Sequence, residues 1–320
     1  MNILHEKSSC CRGKIRRFGE RRRQCGVCHR TWSVWQKKRG AKPKRLANNL
    51  LFKYLDNRCC PLRNPSQNVR MRKALEAFNQ KEKWGDIPSG KLIAIADAMV
   101  QRTNKKVFTP YYILLKNSLS NKAVIVPPIL LAGTEDSFGW QTAFNQLPWG
   151  VRSRIVALVC DGRTALVYLA QKRGWLVQRC HFHLRARISN YTSSFYLSRH
   201  PEVAQKVNGL VTIVLNNKDK EEVDKALGEL ESYRIALFST GLRKVISGFV
   251  KNYNDYRTYL NHPELNLPTT TNSAESLISA IREVQHRARG FRSINSLETW
   301  IVGLLKYRKY QTCNGKYQQN

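Results

Sequence analysis

Acidic residues are scarce in this 320-residue chain: 22 Asp and Glu stand against 55 Lys and Arg, a formal net charge of +33. That excess is far beyond what solubility requires. It implies a polyanionic partner, and nucleic acid comes first. Long apolar runs are also missing. No stretch approaches the roughly 18 uncharged residues of a spanning helix, which leaves a basic membrane-surface protein as the weaker reading. The amino terminus shows no signal-peptide pattern, so the chain reads as cytoplasmic. In that reducing setting its nine cysteines read as metal ligands or buried thiols rather than disulfides. A chain of this length can hold two or three domains, one with a substantial core.

Residues 1–40 are very basic and glycine-punctuated. Cys25-Gly-Val-Cys28 is a zinc half-site, because two thiolates two residues apart on a tight turn converge on one tetrahedral ion. Its upstream counterpart is Cys10-Cys11, across the stretch RGKIRRFGERRRQ. Adjacent side chains rarely face one ion, so His5 with Cys10 or Cys11 is expected to complete a zinc ribbon holding one structural Zn2+. The alternative is a basic arm whose cysteines are incidental. Residues 41–83 read as two short helices. The first, 44–55, carries Leu46, Leu50, Leu51 and Tyr54 at helical spacing. The second, 67–79, follows the turn Asn64-Pro65-Ser66 and has Val69, Leu75 and Phe78 inward, with Arg70, Arg72 and Lys73 outward. This pattern predicts a helix-turn-helix docking in a major groove, against a merely solvated helical hairpin. The first 80 residues hold 21 basic and 4 acidic side chains, which favours DNA contact. In the head, Arg16, Arg17, Arg21, Arg22, Arg23, Lys37 and Lys38 are the expected contacts. Cys59-Cys60, in a Pro-containing turn, fits neither role, and Cys160 and Cys313 read as ordinary thiols.

From residue 88 the texture changes. Segments 91–96, 107–115 and 123–131 read as three strands joined by turns at 103–106 and 117–121, an antiparallel meander. A helix over 137–147 turns Trp140 and Phe144 inward. The run 155–159 (IVALV) is a buried strand stopping on Asp161-Gly162. A helix with Ala165, Leu166, Tyr168 and Leu169 closes at Gly174, and a short strand over 175–178 leads into Cys180-His181-Phe182-His183. A strand returning through a helix to a parallel neighbour is an α/β unit, and ligands collect at the carboxyl ends of such strands. Three strands, a helix, a strand, a helix and a strand is the order of the ribonuclease H-like fold, over residues 88–183. There the first and fourth strands are neighbours, bringing Asp97 and Asp161 together. The competing reading of Asp161-Gly162 is plain turn chemistry. Glu135 and Asp136 fall in a loop and Asp86 ahead of the strand, which leaves Asp97 as the first acid.

Residues 184–267 read as a helical insertion (helices over 202–210, 220–233 and 242–254), with 211–215 as a strand option. Residues 268–320 complete the core. Asn272-x-x-Glu275 opens a helix with the spacing of a capping box, a structural alternative to catalysis for Glu275. The helix runs through Arg282 towards Gly290. A last helix, 294–307, turns Leu297, Trp300, Ile301 and Leu304 inward, and the tail follows Thr312.

Taken in order, Asp97, Asp161-Gly162, Cys180-x2-His183, the insertion and Thr270-Thr271-Asn272-x-x-Glu275 resemble the DDE transposases of the Mutator-like superfamily of prokaryotic insertion sequences, over residues 90–310. The zinc ribbon and helix-turn-helix resemble the DNA-binding heads of such elements. Two departures stand out: Ala98 replaces the glycine that often follows the first acid, and the first zinc knuckle is degenerate. The resemblance implies a nucleoid-associated enzyme that binds the terminal inverted repeats of its element. It would cleave and join double-stranded DNA at element ends and target, as a homodimer or larger homo-oligomer. Asp97, Asp161 and Glu275 would hold two Mg2+ (or Mn2+), Asp97 bridging them, since three hard carboxylates suffice for such ions. Cys180 and His183 would be the signature pair beside the second acid, with a second zinc site on them and His181 as the lesser alternative. Arg185, Arg187, Arg282, Arg287, Arg289 and Arg292 would line the DNA track or form a solvated face. Two other functions remain open: a structure-selective nuclease on the same fold, and a domesticated, non-catalytic DNA-binding regulator.

Overall fold

A computed structural model describes residues 8, 10–19, 22–33, 51–56, 65–103, 106–191, 201–237, 241–287, 291 and 293–313. His5, Arg21, Lys37, Lys38, Cys59, Cys60, Arg289 and Arg292 lie outside the described residues, as does most of the predicted helix 44–55. The chain divides into two compact units, 1–49 and 50–320.

The first unit is an antiparallel three-stranded sheet, β1 (Ile15–Arg17), β2 (Arg22–Cys25) and β3 (Thr31–Ser33). So small a sheet cannot bury a core; among its described residues only Ser8 and Cys25 are buried.

The second unit is mixed α/β. Its strands are β4 (Leu92–Ala98), β5 (Gln101–Thr103), β6 (Lys106–Asn117), β7 (Lys122–Ile125), β8 (Ile129–Ala132), β9 (Ile155–Cys160), β10 (Leu176–Arg179) and β11 (Tyr310–Thr312). The helices are α1 (Pro65–Lys81), α2 (Ser137–Asn145), α3 (Trp149–Arg152), α4 (Thr164–Lys172), α5 (His181–Ser189), α6 (Pro201–Asn216), α7 (Lys220–Ala236), α8 (Gly241–Lys251), α9 (Tyr253–Tyr256), α10 (Thr258–Asn261), α11 (Asn272–Arg287) and α12 (Ile294–Arg308). The sheet runs β10-β9-β4-β6-β7-β11, with β5 and β8 also paired to β6. β4, β9 and β10 are parallel, and β6 is antiparallel to β4 and β7.

Strand β4 is apolar from Leu92 to Ala96 because both its faces are covered there. Successive side chains alternate between faces. Leu92, Ala94 and Ala96 pack with Trp140, Phe144, Leu166 and Leu169 from α2 and α4. Ile93 and Ile95 pack with Leu277 and Ile281 of α11, Leu297 and Ile301 of α12, and Leu75 of α1. On β9, Ala157 and Val159 share that second layer. The insertion builds its own core from Val207, Val211 and Val214 of α6, Leu230 of α7 and Ile246 and Phe249 of α8, joined to α5 through Leu184 and Ile188.

Four local expectations are corrected. The strand predicted over 123–131 is two strands, β7 and β8, because Pro127-Pro128 offers no N–H at two successive positions; both halves pair with β6. Segment 211–215 lies inside α6, where Val211, Val214 and Leu215 form part of its buried helical face, so amphipathic packing overrides local β propensity. On α1, Val69 is exposed, and Met71 joins Leu75 in the core. That helix lies on α12: Asn79 Nδ2 donates to Thr299 O at 2.9 Å, and a Cβ at Gly303 would meet Leu75 Cδ1 at 2.3 Å. Finally, β11 extends the sheet beyond the last helix by pairing with β7, a strand with no sequence signal of its own.

Gly139 marks the tightest approach of α2 to the sheet, since a Cβ there would lie 2.0 Å from Tyr111 Oη. Gly139→Ala is expected to destabilise the second unit by about 1–3 kcal/mol through overpacking, read as a lower denaturant midpoint with an unchanged slope; an unaltered midpoint would contradict this packing.

Candidate functional site

Strands β4 and β9 run parallel with Ile95 opposite Val159. Two residues further along each strand direction stand Asp97 and Asp161, both continuing the face that packs against α11. Parallel register alone therefore brings them to one end of the sheet. Gly162 turns the chain away with φ +86°, a conformation that suits glycine. A Cβ there would also crowd Arg179 at 3.1 Å. Arg179 holds Asp255 at 2.9 Å and Asn252 Oδ1 at 3.1 Å, tying this turn to the insertion. Asp161 Oδ1 accepts from the backbone N–H of Arg163 (3.0 Å) and Oδ2 from its Nε (3.2 Å).

Glu275 reaches the same place through β10. The Cys180 amide donates to Cys160 O (2.8 Å), and the His181 amide to Thr269 O (2.8 Å). This pairing lays residues 269–271 beside the strand end. The Thr271 amide donates to Cys180 Sγ at 3.3 Å. Helix α11 starts at Asn272, so Glu275 is its fourth residue, one past the position a capping box requires. Instead of folding back on its own backbone, its Oε1 accepts from the Thr271 hydroxyl at 3.0 Å. His183 Nδ1 lies 3.4 Å from the same oxygen. His181 faces elsewhere: it is buried, with Nε2 2.7 Å from Tyr256 O.

A fourth carboxylate completes the group. Glu135 has a side chain only 6% exposed, lies 3.1 Å from Arg163 Nε and accepts from Trp140 Nε1 at 2.9 Å. Its loop position gave no hint of this, and α2, anchored by Trp140, is what carries it in. The electrostatics report the crowding. Asp97 is pushed up to about 7, by burial first and then by the charges of Asp161, Glu275 and Glu135, against a stabilising bond from the Ala98 amide (2.8 Å to Oδ1). Glu135 is raised as well, chiefly by burial. Arg163 is the cation that reaches both Asp161 and Glu135. Partly desolvated carboxylate oxygens are ligands that hard divalent cations accept, but among the described residues the groups whose ligand atoms lie within 4.8 Å of one another are the four cysteines and Cys180 with His183 and Glu275, not these four carboxylates.

In the first unit, Cys10, Cys11, Cys25 and Cys28 offer four sulfurs within 4.8 Å of one another, a group able to bind a metal ion. Both adjacent cysteines take part, which corrects the expectation that only one would. A tight turn follows them, with the Arg12 amide donating to Ser8 O at 2.9 Å and Arg12 at φ +50°. Four sulfurs make His5 unnecessary as a ligand. Cys25 is pulled down to about 6 by its bond with Ser8 and by the backbone amides of Cys28 and Val27. Cys11 is pushed up to about 12 by its bond with Cys28.

The predicted DNA contacts are mostly at the surface. Arg16, Arg17, Arg22, Arg70, Arg72, Lys73, Arg187 and Arg282 are exposed, and Arg23 and Arg185 half-buried. Arg72 pairs with Glu76 at 3.6 Å, and Arg282 Nε reaches Met99 Sδ at 2.9 Å. Arg287 ends α11. No protein-family model matches this chain, and no curated protein matches it.

Two outcomes follow from the site. Asp97 takes up its proton near pH 7 in the fold but near 3.8 when unfolded, so its burial costs stability increasingly as pH rises from 4 to 7 and in full above that. In Mg2+-free buffer Asp97→Asn is therefore expected to raise the thermal midpoint at pH 8, with the advantage shrinking towards pH 4; a pH-independent difference would contradict the assignment. Metal analysis of the full chain is expected to find an ion bound through the cysteine group that is lost in Cys25→Ser.

Proposed function

We propose that the chain is a DDE transposase of the Mutator-like type, which binds the terminal inverted repeats of its element and cleaves and rejoins DNA with divalent metal ions. The observation that carries this reading is that Asp161 and Glu275, from two other segments of the chain, lie near enough to Asp97 for their charges to raise it. The strand order β7-β6-β4-β9-β10, with a meander followed by two parallel strands, supports a ribonuclease H-like core. The net charge of +33 supports a DNA partner.

Two hard divalent ions would neutralise the phosphodiester charge and lower the pKa of the attacking oxygen. The chain's own groups have distinct tasks. Asp97 has Oδ1 engaged by the Ala98 amide, which leaves Oδ2 to hold a proton or a cation. Asp161 is fixed by two bonds from Arg163. Thr271 orients Glu275 through a bond to its Oε1. Arg163, with its side chain half-exposed, can turn from the carboxylates to a phosphate once cations arrive. In the first unit the four thiolates suit a structural zinc ion; in the second, helix 51–55 and α1 would supply the two helices of a helix-turn-helix, with Arg70, Arg72 and Lys73 turned to the groove.

The test separates binding from chemistry. Asp161→Ala is expected to lower cleavage and joining of repeat ends on the order of a thousand-fold, about 4 kcal/mol of transition-state stabilisation, while end binding persists. That binding should weaken steeply with salt, by about 0.9 log units per tenfold salt for each neutralised phosphate. Cleavage of DNA lacking repeat ends, without joining, would favour a structure-selective nuclease. A wild-type chain that binds DNA but never cuts it would favour a regulator.

A further inference from the structure

We infer that Cys180, His183 and Glu275 form a second metal site, selective for a thiophilic ion of the zinc class, and that filling it withdraws Glu275 from the hard-cation centre. The second half rests on the proposed transposase reading; the first does not.

The ligand atoms come from two elements that the fold brings together. Cys180 immediately precedes α5, and His183 lies in its first turn. Glu275 lies in the first turn of α11. One atom from each lies within 4.8 Å of the other two. His183 Nδ1 and Glu275 Oε1 are 3.4 Å apart, and two ligands at ordinary bond lengths from a tetrahedral zinc ion are about 3.3–3.4 Å apart. The decisive detail is His183 Nδ1 itself: the atom is buried and has no hydrogen-bond partner, although a carboxylate oxygen stands at that distance. A buried ring nitrogen facing a thiol and a carboxylate without bonding either is poorly explained as packing, since unpaired buried polar atoms are costly. It is well placed to donate its lone pair to an ion between them.

The surroundings hold this arrangement. The Thr271 amide donates to Cys180 Sγ at 3.3 Å, which works against the burial that raises this thiol. The Thr271 hydroxyl donates to Glu275 Oε1, fixing the carboxylate rotamer. His181 takes no part, being committed to the insertion through Tyr256 O. A mixed sulfur, nitrogen and oxygen set selects zinc-class ions over magnesium, which prefers oxygen and keeps its waters. The oxygen turned towards Cys180 and His183 belongs to the same carboxylate that the transposase reading assigns to the hard-cation centre. An ion held by the thiolate and imidazole therefore competes for that carboxylate.

The experiment is a Co2+ titration of metal-free, full-length protein. Wild type is expected to take up two equivalents, one with four-thiolate charge-transfer absorption and one with the weaker absorption of a single thiolate. Cys180→Ser and His183→Ala should each lose only the second. The wild-type titration alone can decide the matter if a variant does not fold: a single four-thiolate equivalent would overturn the site, as would a second equivalent retained in both variants. With Mg2+ present, micromolar free Zn2+ is expected to suppress cleavage by wild type at least tenfold, reversibly on chelation. Full activity with the second site filled would overturn its competition for Glu275. Two equivalents on a chain that cleaves no DNA would support the site and overturn the transposase reading instead.

Discussion

Desolvation of a carboxylate beside other carboxylates is the constraint around which the second unit is arranged. Asp97, Asp161, Glu275 and Glu135 each arrive on a different segment, and Asp97 is raised to about 7 first by burial and then by the charges of the other three. A fold optimised only for stability would separate them or surround each with a cation. Among the described residues, Arg163 pairs with both Asp161 and Glu135. Other basic side chains stand exposed on β1, β2, α1 and α5. Basic side chains at the surface and carboxylates gathered at a strand end divide the charge of the second unit by sign.

How the acids meet was largely legible in the sequence, because it depends on period and direction. An apolar run ending in a carboxylate, then a helix, then another such run, predicts parallel neighbours whose ends coincide; Ile95 opposite Val159 delivers that coincidence. Glu275 was legible only as a residue with two readings, and the start of α11 at Asn272 decides against the capping box. Glu135 was not legible. It precedes a helix in an ordinary loop, and its place depends on Trp140 being seated among Tyr111 and Phe144, a tertiary fact with no local signature. The convergence of Cys10 and Cys11 was not legible for a related reason, since the turn beside them takes its positive φ at Arg12 and not at the neighbouring Gly13.

The soft and hard ligand sets share a wall. Glu275 lies within 4.8 Å of Cys180 and His183 by one ligand atom each, and its charge also raises Asp97. Thr271 joins the two through its bonds to Cys180 and Glu275, and the pairing of His181 with Thr269 fixes the height of both. This gives the Cys-x2-His pair a physical reason to follow the second acid so closely: it docks the segment that carries the third.

The sheet also has an order of completion. Its central strands are contiguous early in the chain, but the helix bearing Glu275 begins at residue 272 and the edge strand β11 at residue 310. During synthesis, a chain that has emerged only as far as α10 already contains the first two acids and the whole insertion, but not the third. Contacts of such long sequence separation form late. The constellation therefore cannot close until the segment from residue 272 onward has been made, and a chain that stops before it holds Asp97 and Asp161 without Glu275.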